Sequence, residues 1–257
     1  MFAPAKIITP ENIGTIELFG TGLAVMIALK ELNIKYIHKA SMPESAELYE
    51  FSPFGTIPVL VHRPNAIYSA RDRIALFETL AIARYLDEIL SSKDVEDPSH
   101  RTLFPPPIGS HERNYADVAL SRVEIDQISA LIVTRVQPIV EDRYVKPFFA
   151  LRNNGASKED ISAALLDSFQ AAEEIFVLLE RVIANTQEQL KLSNPPFIFG
   201  NLSWADVFLF PVARDFKATN PDLFTASRLP WLSGWFSRFE QRPSAQATLP
   251  TSFAASK

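Results

Sequence analysis

The chain has 257 residues, room for one large or two small domains, and 47% of them are hydrophobic, ample for a packed core. Its net charge of −5, with both signs mixed, argues against a nucleic-acid binder or a basic membrane-surface protein. Cysteine is absent, which excludes disulfides, thiolate metal sites and a cysteine nucleophile.

In chain order, residues 6–22 allow two registers. Either 15–19 is the first strand and Gly20-Thr21-Gly22 a very short loop, or 6–9 is the strand and 10–20 a longer loop. Both leave Thr21 just ahead of a helix over 22–32, G-L-A-V-M-I-A-L-K-E-L, apolar in its first half and stopped at Asn33. A second strand over 34–38 and a short helical or irregular segment over 43–51 follow. F-S-P-F-G-T-I-P-V-L-V-H then leads through Pro58 into a strand over 59–61; proline is tolerated at a strand's first residue. Residues 65–72 are an insert longer than a tight hairpin needs, and 74–77 is a further strand. It ends at Glu78-Thr79, where Leu80, Ala83, Tyr85 and Leu86 begin to repeat at helical spacing.

Residues 91–107 are polar, charged and proline-rich, the signature of a linker. Beyond them the pattern is helical throughout. Residues 111–149 read as one or two long helices interrupted near Pro138 and Pro147, with a turn at N-N-G, 153–155. From Ser157, Leu165, Phe169, Ala172, Phe176, Leu179 and Ile183 mark the buried face of the next helix. Ser203 followed by Asp206 is a capping box ahead of an apolar run, a folding signal with no catalytic role. A last helix covers 229–242, with Trp231, Trp235, Phe236 and Phe239, and 244–257 has no periodicity and is expected to run over the surface. The domains predicted are 1–90, a linker over 91–107 and an all-helical 108–257.

The pattern P-F-G-x-I/V-P-V-L, followed after the insert by F-E-S/T-x-A-I-x-x-Y-L, resembles the glutathione-binding half of the cytosolic glutathione transferases. The Thr21-Gly22 pair before the first helix matches the place where some fungal-type relatives carry Asn-Gly. The resemblance implies an α/β thioredoxin-like N-terminal domain followed by an all-α C-terminal domain. It also implies that Pro58 is cis and that the main chain of Ile57 meets the cysteinyl part of glutathione, while Glu78 and Thr79 hold the γ-glutamyl end. An acceptor substrate is placed by it between the domains, against Tyr115, Val118, Arg122 and Ile125, the apolar ones of which core packing explains equally well. A homodimer is implied too, with no metal and no cofactor beyond glutathione as co-substrate.

The residue chemistry agrees with such a site. An X-Pro bond is where a cis peptide is tolerated, and an extended peptide adds to a strand edge through main-chain hydrogen bonds. Free N–H groups at a helix start suit a carboxylate, and a neighbouring Glu suits an ammonium. The competing reading, an ordinary trans proline and plain capping groups, fits each piece alone. The thiol needs a donor, because the thiolate is the nucleophile and a free thiol has a pKa of about 8.5. Thr21 is the first candidate for that contact, with Thr9, Asn12 and Thr15 in reserve. Lys39 is the candidate for the glycyl carboxylate, with Arg71 and Arg73 as substitutes.

The function expected is conjugation of the glutathione thiolate to hydrophobic electrophiles, in detoxification or secondary metabolism. The alternative is a non-catalytic ligandin or regulatory scaffold of the same fold. Histidines 38, 62, 100 and 111 show no metal-binding spacing. No run approaches the roughly 20 apolar residues of a membrane helix, and residues 1–6 lack the order of a secretion signal. A cytoplasmic protein is the expectation.

Overall fold

The computed structural model describes residues 13–65, 72–87, 102–104 and 115–253, the side chains of 115–118 apart. The chain divides into two compact units, Met1–Leu103 and Phe104–Lys257.

The first unit is a four-stranded sheet in the order β2-β1-β3-β4. Strand β1 (Gly14–Phe19) continues through helix α1 (Leu23–Glu31) into a parallel strand, β2 (Ile37–Lys39), the βαβ crossover. The first of the two registers is thus the observed one, because Ile16, Leu18 and Phe19 bury their side chains against the rest of the unit. Asn33 stops α1 with a φ of 57°, a left-handed turn that asparagine adopts readily. After helix α2 (Ala46–Tyr49) come the antiparallel strands β3 (Val59–Pro64) and β4 (Ile74–Leu76), then helix α3 (Thr79–Tyr85). Val59, Leu60 and Val61 are fully buried, so β3 is an interior strand covered on both faces. One cover is α2, whose Leu48 packs with Phe19, Val59 and Val61 under Phe51, Ile57 and Phe77.

On β3, His62 is fully buried; it donates from Nε2 to the Ile13 carbonyl (2.6 Å) and accepts the Tyr85 hydroxyl at Nδ1 (2.6 Å). Burial holds its pKa below the ordinary value, against the pull of the Ile13 carbonyl. Past α3, the buried Asp87 carboxylate takes the Thr102 hydroxyl (2.8 Å) and the Leu103 N–H (2.6 Å). Of the predicted linker only 102–104 is among the described residues, and there Leu103 and Phe104 are buried.

The second unit is helical. Helix α4 (Tyr115–Leu131) does not break near Pro138. The chain runs on through wide i→i+5 turns over Ile132–Val136 and Pro138–Val145 into α5 (Lys146–Asn153). The expected interruptions are absent because Pro138 is the first residue and Pro147 the second residue of a new run, where a missing N–H removes least. The helix expected from Ser157 is two, α6 (Lys158–Ala164) and α7 (Leu166–Gln189), divided at Leu165. On α7 the predicted Ala172, Phe176, Leu179 and Ile183 are buried, whereas Phe169 is half-buried. Helix α8 (Trp204–Thr219) is the core: everything from Trp204 to Phe216 is buried. Helix α9 (Pro230–Glu240) follows. The tail is a correction: residues 243–248 form helix α10 (Pro243–Thr248), with Ser244, Ala245 and Thr248 buried, held by long-range contacts that periodicity does not report.

Inside the wide-turn stretch lies Glu141. Burial pushes its carboxyl up to about 7, partly offset by the Gln137 amide, which donates at 3.0 Å. A folded pKa raised above the unfolded value means a contribution to stability present in full below about 4.5 and lost as pH rises through about 7. Glu141→Gln is therefore more stable than the parent at pH 8 by roughly 1–3 kcal/mol and equal to it near pH 4. Urea unfolding at the two pH values reads this, and equal differences at both would refute it.

Candidate glutathione site

Four segments end at one edge of the sheet. Phe19 lies beside Lys39 on one flank and Val59 on the other, and Leu60 pairs with Leu76. Extended by two residues, the β3–β4 register brings Pro58 abreast of Glu78. The loop Gly20-Thr21-Gly22, the Ile57-Pro58 pair and the start of α3 therefore converge, within the first unit.

The approach of the loop to Ile57-Pro58 is close. A Cβ on Gly20 would lie 2.4 Å from Ile57 Cγ2, and one on Gly22 would lie 2.6 Å from Pro58 Cβ. Gly20 also needs its φ of +74°, but Gly22, with φ −110°, is required only by the contact. The loop is held by the Gly20 N–H donating to the Lys39 carbonyl (2.9 Å) and by His38 Nε2 donating to the Gly20 carbonyl (3.2 Å). In the sequence these glycines belong to a very short loop and His38 is one of four histidines without metal-binding spacing. No local signal announces contacts made across strands. Gly22→Ala should cost about 1–3 kcal/mol through overpacking, read by urea unfolding, and lower glutathione affinity. An unchanged midpoint would contradict the contact.

Thr21 is exposed at the loop, and its hydroxyl has no hydrogen-bond partner among the described residues. It lies directly before Gly22, the N-terminal flank of α1, where no side chain caps the first N–H groups. The Ile57-Pro58 peptide is cis. Neither the N–H nor the C=O of the half-buried Ile57 is hydrogen-bonded among the described residues, leaving a strand edge open. Glu78 has φ 67° and ψ 115°, unusual for a residue with a side chain and of order 1–3 kcal/mol in cost. Its side chain is exposed and makes no capping bond, so plain capping does not describe it. Thr79 follows, half-buried, as the first residue of α3.

Lys39 ends β2 at the same edge, three strand spacings from Glu78, about 14 Å. Its ammonium turns back to Glu17, at 3.7 Å, in a surface pair of small worth. Arg73 is bound to Glu50 (2.6 Å) and stacks over Phe51, while Arg71 lies outside the described residues. Of the reserve candidates, Thr15 is the second residue of β1, at the far end of the strand, and Thr9 and Asn12 lie outside the described residues. So does most of the 65–72 insert. Ile125 is fully buried in the second unit's core, which removes it as an acceptor contact; the side chains of Tyr115 and Val118 are not described. Among the described residues no group of acidic or histidine side chains is placed to hold a metal.

Residues 22–89 match the family described as Glutathione S-transferase, N-terminal domain, and residues 160–238 match Glutathione S-transferase, C-terminal domain. Together they cover more than half of the chain. The chain belongs to the glutathione S-transferase superfamily. Solved glutathione transferase structures share its fold. A glutathione transferase family member from Pseudomonas fluorescens pf-5, with two glutathione bound, is 19% identical over 96% of this chain and 95% of its own, with a TM-score of 0.64. Ure2p in complex with S-hexylglutathione is 18% identical over 92% and 98%, with a TM-score of 0.65. FzlA from C. crescentus is 16% identical over 91% and 92%, with a TM-score of 0.65. No curated protein matches the sequence significantly. The superfamily's two-part organisation, a thioredoxin-like domain and an all-α domain, is the one described above.

Proposed function

We propose that this glutathione transferase relative joins the glutathione thiolate to hydrophobic electrophiles, in detoxification or secondary metabolism. The observation that carries the reading is the convergence at one sheet edge of three polar features left open among the described residues: the Thr21 hydroxyl, the main chain of Ile57 beside Pro58, and Glu78-Thr79. Glutathione lies along Ile57 as an added strand. Glu78 takes its ammonium, the N–H groups at Thr79 and Leu80 its γ-glutamyl carboxylate, and Lys39 swings from Glu17 to its glycyl carboxylate. Thr21 and the first N–H groups of α1 donate to the sulfur, which favours the thiolate at neutral pH. That thiolate attacks an electrophilic carbon; the new bond is carbon–sulfur, and with an aryl halide the halide departs with the electron pair.

Two measurements test this. Glutathione binding is followed by calorimetry, and turnover by a general aromatic halide and an isothiocyanate. Binding with turnover supports the transferase, and Thr21→Val then lowers kcat/KM about tenfold or more at matched affinity. Unchanged turnover in Thr21→Val removes the residue from the mechanism. A second reading, a non-catalytic ligandin or regulatory scaffold, is favoured by the three-residue loop, whose one hydroxyl is a threonine. Binding without turnover selects the ligandin, and absence of binding leaves only a scaffold.

The protein is further proposed to act as a cytoplasmic homodimer. Met42, Tyr49 and Phe54, exposed around Gly55 at 76, 51 and 71%, supply an apolar surface of the kind that pairs subunits. Sedimentation at monomer mass would remove that part, and cell fractionation tests the location.

A further inference from the structure

The core helix α8 carries buried charges treated in opposite ways. The carboxylate of Asp206 is surrounded by donors. Arg214, two turns further on and 4% exposed, is matched by acceptors at only one of its three nitrogens. Its Nη1 donates to the Ala245 carbonyl (3.2 Å) and to Thr248 Oγ1 (3.3 Å) on α10, and its guanidinium lies 5.3 Å from the centre of the Phe210 ring. Nε and Nη2 are both buried and have no hydrogen-bond partner. These two nitrogens form the side-on edge of the guanidinium, the fork whose parallel N–H groups grip an anion.

No carboxylate is within ion-pair distance of Arg214 among the described residues. Asp215 follows it in sequence but does not reach the fork, and Glu240 is paired with Lys217 at 3.9 Å. A guanidinium keeps its proton at any pH at which proteins fold, so this charge stays inside. Arginine is almost never fully buried unpaired, and native structures leave very few buried donors unsatisfied. The occupant must accept two N–H groups and offset a positive charge at a fork that is itself buried, which favours a small one. We propose that the Nε–Nη2 edge of Arg214 holds a small inorganic anion of the halide class, chloride being the abundant one, inside the helical unit.

The test compares thermal unfolding of the full chain in chloride and in gluconate at equal ionic strength. Chloride should raise the midpoint saturably, by about 3 °C for one filled site. Arg214→Lys keeps the charge, removes the fork and abolishes the difference. Crystals of the unaltered protein soaked in bromide give the direct reading, an anomalous peak within hydrogen-bond reach of Nε and Nη2. That measurement decides the matter if Arg214→Lys does not fold. Equal midpoints in the two salts, a chloride effect that survives in Arg214→Lys, or ordered water alone at the fork would overturn the proposal.

Discussion

Glu78→Ala should weaken glutathione binding about 30-fold, roughly 2 kcal/mol, while leaving the unfolding midpoint within about 2 °C of the parent. The two halves of that expectation come from one geometry. The carboxylate is exposed and makes no capping bond, so the fold does not depend on it. Its backbone is nonetheless held at φ 67°, a conformation that persists only where the surroundings over-determine it. A residue costly in backbone and idle in side chain is better suited to holding a ligand than to building the fold. Calorimetric titration beside a melting curve reads both halves. Undiminished affinity would remove Glu78 from the site, and a large loss of stability would make it structural.

The second large effect lies in the helical unit. Asp206 is fully buried and its carboxylate accepts from the N–H groups of Ile198 (3.0 Å) and Ser203 (3.0 Å), the Ser203 hydroxyl (2.7 Å) and the Trp235 indole (2.9 Å). Burial pushes the carboxyl up to about 6 and those donors pull it back. Asp206→Ala strands four buried donors at once. The expected loss is about 4 kcal/mol, near 10 °C in melting temperature, measured by urea unfolding and calorimetry. Asp206→Asn fares little better, because its amide turns an N–H₂ toward groups that also donate. A drop below about 3 °C in the alanine variant would mean that the network is replaceable. Altered turnover in a stably folded variant would contradict a purely structural role.

From sequence, Asp206 carries only a helix cap worth about 1 kcal/mol or more. Ser203 is visible as a partner because it sits three residues away. Ile198 and Trp235 are supplied by the packing of the preceding loop and of α9, which no local pattern encodes. The same division runs through the chain. The strand after Pro58 and the helix after Glu78 were legible because turn residues, apolar runs and helical spacing are local signals. The first strand was legible only as two alternatives, settled by which apolar side chains the sheet buries. Pro138 and Pro147 misled, since a missing N–H is absorbed at the first or second position of a new helical run as well as by a break. The tail misled too: six residues of α10 are too short for periodicity and are anchored by Arg214, more than thirty positions upstream. Within the site, residue types were readable, but the φ of Glu78 and the contacts of Gly20 and Gly22 were not.

The open N–H and C=O of Ile57 have a practical corollary. Atoms of the peptide link are common to every residue, so in the proposed binding mode alanine in place of isoleucine removes nothing that glutathione would grip there. An alanine scan of this margin would then report silence at the proposed contact. Only changes that reshape the chain itself, such as a methyl group on Gly22, would make that silence audible.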